Sequence, residues 1–169
     1  PRYIEASFCV PIIGKERMVR PELAGGALLD LGIYPLNYAM LYFGEDPVKI
    51  SGAAILTENG VDDQETFSLE YADGRMAMLG SSMTAFGGAP ARISWTKGRI
   101  VCEKLLLCEE IILEDGNGVI RKEQFPFDYN GYEYEIRAAV KAIEEGKCET
   151  EETTWSTTLN ELRIMDTLR

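Results

Sequence analysis

The sequence predicts an α+β domain: one large, open, mostly antiparallel sheet with helices gathered mainly on one face. Three observations carry this. After Pro47, short apolar runs follow one another with turn residues between them. Before it, one helical stripe spans Gly26 to about Phe43. Two further helical patterns close the chain.

"YIEASFCV", residues 3–10, alternates loosely and reads as a strand, and "GKERMVRPE" as a polar connection. In the first helical pattern Leu29, Ile33, Leu36, Met40 and Phe43 recur at steps of three and four, and Gly44 fits a C-terminal cap. Pro35 removes a backbone donor and leaves the Leu31 carbonyl unpaired, so a bend is expected there, eased by Gly32. The runs "VKISGAAIL", "ETFSLEY", "RMAMLGSSM", "ARISWT", "RIVCEK", "LLLCEEIIL" and "VIRKEQF" then read as strands. Phe67, Leu69 and Tyr71 share one face, while Ser68 and Glu70 share a wetter one. Asp73-Gly74 is expected to form a type I′ hairpin turn. "YEYEIRAAVKAIEEG" should turn Ile136, Ala139, Val140 and Ile143 to one side. "TTWSTTLNELRIMDTLR" should turn Trp155, Leu159, Leu162, Ile164 and Met165 mainly inward.

The length, 169 residues, suits one domain with a core of its own. Lys and Arg number 17 against 28 Asp and Glu, a net charge of −11, which disfavours nucleic acid and anionic membrane surfaces as partners. Histidine is absent, which excludes Ser–His and Cys–His nucleophile pairs and His-bearing zinc sites. Cys9, Cys102, Cys108 and Cys148 show no C-x-x-C spacing and read as reduced thiols of a cytoplasmic protein. No carboxylate cluster has metal spacing, and no glycine-rich phosphate loop follows a strand. Asp62-Asp63 reads as a solvated pair. The apolar stretch from Ala24 to Gly44 is interrupted by Asp30, Pro35 and Asn37, so it reads as a buried helix rather than a membrane span. A start at Pro1-Arg2-Tyr3, directly before a strand, suggests a piece of a longer polypeptide cut at a domain boundary.

"GGALLDLGIY", residues 25–34, is the candidate site. Asp30 and Tyr34 are four apart in a helical pattern, so they share a face beside the apolar stripe, continued by Asn37, Tyr38 and Leu41. As structure alone, Asp30 is an N-terminal helix residue favoured by the dipole and Tyr34 a packed aromatic. Gly25 and Gly26 go beyond capping: they permit close approach of another backbone or of a ligand.

"GGALLDLGIYPLNYAMLYFG" resembles the signature of the catalytic domain in the Gfo/Idh/MocA oxidoreductase family, in which glycines precede an Asp and a His or Tyr follows four later. The resemblance continues through "GVDDQETFSLEYADGRMAML", "TKGRI", "NGYEYEI" and "LNELRIMDTLR". Tyr in place of His is similar to the branch of dihydrodiol dehydrogenases, NADP-dependent xylose dehydrogenases and glucose–fructose oxidoreductase. Trp95, where relatives usually have Gly before "TKG", departs from the pattern. The resemblance implies a two-domain enzyme. A Rossmann domain outside this chain would bind NAD or NADP. The present half would supply an open sheet like the C-terminal domain of glyceraldehyde-3-phosphate dehydrogenase, and would bind a sugar or vicinal diol. It also implies that Tyr34 is the acid–base for the oxidised hydroxyl, with a lysine of the other domain beside it. A free tyrosine, with a pKa of about 10, is otherwise a poor base. Asp30 would orient substrate hydroxyls or hold that lysine; Phe8, Asn37 and Phe127 would lie on the substrate side. No cofactor is expected in the isolated chain. The open face predicts a homo-oligomer. The alternative is a non-catalytic dimerisation module built on the same fold.

Overall fold

A computed structural model describes all residues, Pro1–Arg169. Strands β1 (Tyr3–Cys9), β2 (Lys49–Leu56), β3 (Asp62–Glu70), β4 (Met76–Ser82), β5 (Ala91–Ser94), β6 (Arg99–Cys102), β7 (Glu110–Asp115) and β8 (Gly118–Gln124) form one sheet. Its order is β2-β3-β4-β1-β5-β6-β7-β8. Every pairing is antiparallel except β1 with β4. The strands thus follow the sequence reading, but the order is no simple meander: β1 is inserted between β4 and β5.

The Asp73-Gly74 turn differs from the expected type I′. Only Gly74 has positive φ (81°), and Tyr71 and Arg75 bracket a three-residue loop. This is the turn-plus-bulge hairpin, which needs one left-handed residue rather than two.

Helix α1 (Ile33–Phe43) lies on one face of the sheet with α3 (Trp155–Leu168) beside it. Ile4, Ala6, Phe67, Leu69, Ala77, Leu79 and Ile93 of the sheet pack beneath Leu36, Ala39, Met40 and Phe43 of α1 and Ile164 and Met165 of α3. Each fully buried Leu or Ile among them contributes about 1.5–3 kcal/mol. Polar clasps fix the helix pair: Asn37 donates to Glu161, and Thr157 and Asn160 donate to Glu45 at 2.6 and 2.7 Å. Gly44 (φ 92°) ends α1 as expected, its N–H donating to the Met40 carbonyl. Trp155, Leu159 and Leu162 are exposed, contrary to expectation, because α3 turns its Ile164, Met165 and Leu168 edge to the sheet. Helix α2 (Glu133–Glu144) also leaves Ile136, Val140 and Ile143 exposed. No helix is long and apolar enough to cross a membrane.

In place of the bend expected at Pro35, a π turn spans Leu28–Gly32, and α1 runs on through Pro35. The wider turn falls where Pro35 offers Leu31 no N–H. The turn begins on a clasp from the sheet: the Leu28 N–H donates to the Asp62 carboxylate of β3. Asp62 is therefore a helix cap supplied from a distant strand, not a solvated acid. Below the turn, Glu65 of β3 is only 7% exposed. One of its oxygens accepts from the Ser81 hydroxyl and the other has no partner. Burial pushes the Glu65 carboxyl up to about 8; the Ser81 hydrogen bond opposes this and the Asp62 charge adds to it.

Two outcomes follow from this seat. Asp62→Ala should cost about 1–2 kcal/mol in urea denaturation, the range for a lost helix cap. Glu65 holds its proton far above the ordinary carboxylate range when folded, so its contribution to stability is fullest in acid. That contribution is lost as pH rises through about 8. Glu65→Gln should remove this slope, be more stable than the parent at pH 9 by on the order of a few kcal/mol, and melt at a higher temperature there. Parallel melting-temperature profiles of the two proteins from pH 5 to 9 would refute it.

Candidate active site

The route from β1 to α1 explains the two glycines. A methyl group on Gly25 would lie 2.7 Å from the carbonyl oxygens of Arg17 and Met18 and 2.9 Å from that of Arg20. Gly26 has φ +115°, and a methyl group there would fall on the Asp62 carboxylate. The close approach is real, but its partners are this chain's own backbone and Asp62, not a ligand. Gly32 repeats the theme: its missing side chain leaves room for Glu65, 2.7 Å from where a Cβ would stand.

Because Gly32 is pressed to the sheet, Asp30 and Tyr34, two residues either side of it, turn outward. Tyr34 is 41% exposed, and its hydroxyl makes no hydrogen bond within the chain. Its ring meets Phe8 of β1 edge-on, with centroids 5.5 Å apart and planes at 77°. Such a contact holds the phenol at a fixed tilt. Phe8 stands in register with Ser81, and Ser81 with Glu65, so one row of side chains crosses β1, β4 and β3 beneath the π turn. Asp30 forms an ion pair with the guanidinium of Arg17, which lies in a single 3-10 turn, Glu16–Val19. Asp30 and Tyr34 are not bonded to each other.

The structure thus brings Phe8, Asp30 and Tyr34 to one exposed flank. It does not bring Asn37, whose amide is spent on Glu161 of α3. Phe127 is likewise engaged elsewhere: it packs on Tyr134 of α2, centroids 6.1 Å apart, and beside Gly131. Arg17 was hidden in the sequence inside a polar connection, and no spacing links it to Asp30. Glu65 was hidden as one of several acids in a strand. Its core-facing register, shared with Phe67 and Leu69, was the signal that could have exposed it. Trp95, the departure from the family pattern, sits in a turn closed by its own N–H to the Gly98 carbonyl at 2.8 Å.

The helix N-termini present do not fit a pyrophosphate. A pyrophosphate is commonly bound at a helix N-terminus, yet each of the three is met by a carboxylate. Asp62 meets the π turn and α1. Glu133 accepts from the backbone N–H groups of Tyr129, Asn130 and Gly131 ahead of α2. Glu149 accepts from the Trp155 N–H of α3.

Known proteins share this architecture. The fold matches an aldose-aldose oxidoreductase of Caulobacter crescentus, solved with glycerol, with a TM-score of 0.84 at 23% identity over 98% of this chain and 51% of that one. It also matches a 3-ketoreductase of Actinomadura kijaniata, solved with NADP and TDP-benzene (TM-score 0.78, 22% identity, 99% and 53%). In sequence the chain is 33% identical over 151 residues to scyllo-inositol 2-dehydrogenase (NADP(+)) of Bacillus subtilis, covering 89% of this chain and 45% of that protein. It is 34% identical over 116 residues to trans-1,2-dihydrobenzene-1,2-diol dehydrogenase of Xenopus laevis (68% and 35%). The chain spans less than half the length of these two relatives. The profile of the GFO/IDH/MocA C-terminal domain matches residues 1–101. The chain belongs to the GFO/IDH/MocA family, whose C-terminal domain it carries.

Proposed function

We propose that this chain is the substrate-binding and proton-transferring half of an NADP-dependent oxidoreductase acting on a hydroxyl of a sugar or vicinal diol. The observation that carries this reading is Tyr34. It is an exposed phenol, free of internal hydrogen bonds and steadied by Phe8, in the segment that resembles the family signature. Two relatives named above are dehydrogenases of an inositol and of a dihydrodiol, and the first is named for NADP. A dinucleotide bound mainly by a partner domain would supply the hydride acceptor for the alcohol carbon.

Tyr34 takes the hydroxyl proton as the carbonyl forms, and returns it in the reverse direction. Asp30 accepts a hydrogen bond from a neighbouring hydroxyl of the substrate, and its ion pair with Arg17 holds the carboxylate on the same flank. Phe8 forms an apolar wall below. The carboxylates at the helix N-termini fit a domain that leaves pyrophosphate binding to a Rossmann partner. The open sheet face away from the helices carries Met76 and Met78, both exposed, among small residues such as Ser51, Ala53 and Thr66, and we assign it to self-association. Four free thiols fit a cytoplasmic setting.

In the full polypeptide, Tyr34→Phe should lower kcat by about 10²–10⁴-fold while NADP affinity stays unchanged. Near-normal turnover would overturn the assignment. Asp30→Asn should raise KM more than it lowers kcat. Met78→Lys should shift the sedimentation profile from dimer to monomer; a parent chain already monomeric at high concentration would refute the sheet-face interface.

A further inference from the structure

Outside the candidate site, two sulfurs stand in contact. Cys102 ends β6, and Cys108 lies two residues before β7. The Cys102 thiol points at the Cys108 sulfur, 3.0 Å away. Five residues separate them, and Leu107 makes the return possible by adopting the left-handed conformation (φ 55°). The intervening loop is tied down: the Leu105 N–H donates to the Ala89 carbonyl at 2.6 Å, and Leu105 and Cys108 pack on the main core. Each sulfur also faces a backbone carbonyl, Cys102 that of Lys104 and Cys108 that of Glu110. Cys102 is buried, whereas Cys108 is half-buried and reachable from solvent. Cys9 is half-buried and Cys148 exposed, and neither has a second sulfur in contact.

We propose that Cys102 and Cys108 are a reversible oxidation site that closes to a disulfide with a small-molecule disulfide, such as oxidised glutathione, as its reactant. The Cys108 thiolate attacks one sulfur of glutathione disulfide, and a glutathione thiolate leaves, taking up a proton. Cys102 then loses its proton, its sulfur displaces the second glutathione, and the protein S–S bond forms. In sum, two protein thiols are oxidised and one glutathione disulfide is reduced to two thiols. The order follows from access and acidity. Burial, then the Cys108 sulfur, pushes the Cys102 thiol up to about 12, so it reacts second, once the mixed disulfide holds its target beside it. The sulfurs also bear on Tyr42, raised first by burial and then by them, and on Tyr38, raised first by burial, then by Tyr42, and then by them.

The test treats the chain with oxidised glutathione, alkylates the remaining thiols in denaturant and digests it with trypsin without reduction. Cleavage after Arg99, Lys104 and Arg121 gives "IVCEK" and "LLLCEEIILEDGNGVIR" as separate peptides. The expected result is these two peptides joined, with neither of their cysteines alkylated, and both effects reversed by dithiothreitol. Cys102→Ser should stall as a glutathione adduct on Cys108, and Cys148→Ser should close as the parent does. Two peptides recovered fully alkylated from the parent chain, or a Cys108–glutathione adduct that persists there, would overturn the proposal.

Discussion

The approach of residues 25–32 to strand β3 is the constraint on which the site depends. Three small positions, Gly25, Gly26 and Gly32, bring the chain within contact of the Arg17–Arg20 backbone, the Asp62 carboxylate and Glu65. Any side chain at these positions would lift the π turn off the sheet. Asp62 would then lose the Leu28 N–H, and Tyr34 would slide along Phe8. The outward direction of Asp30 and Tyr34 is thus a consequence of packing two residues away from each, not of their own contacts.

The same seat stores an unfavourable group. A carboxyl with one unpaired oxygen and almost no exposure is costly to bury. It is tolerated because it stays protonated at neutral pH, where an ionised Glu65 would face the Asp62 charge. The helix layer above it rests on apolar contacts from Leu36 to Phe43, which are large enough to carry one such defect.

Much of this was legible from the chain. Alternation gave the strands, because side chains on one face of a strand repeat every two residues, and the step of three and four gave α1. Gly44 as a cap followed from backbone chemistry alone, whereas the irregularity expected at Pro35 lies earlier, over Leu28–Gly32. What was not legible depends on distant parts of the chain. No local signal shows that Asp62 caps a turn 34 residues away, that Arg17 reaches Asp30, or that Asn37 is claimed by Glu161. The exposed Trp155 and Leu159 were misjudged for a related reason: periodicity reports a helix's apolar flank but not whether anything lies against it.

The position of β1 has a consequence for how the domain assembles. Its left neighbour is β4 and its right neighbour β5, so the first strand of the chain is the seam between two otherwise separate antiparallel ribbons, β2-β3-β4 and β5-β6-β7-β8. Each ribbon is local in sequence and can zip from its own hairpins. The seam is not local: Ile4 must meet both Ala77 and Ile93. Loop-closure entropy makes those contacts slow to form. The ribbons are therefore expected to form before the seam, each leaving one edge free for β1. Only the chain that lets both ribbons take opposite edges of β1 arrives at a single core.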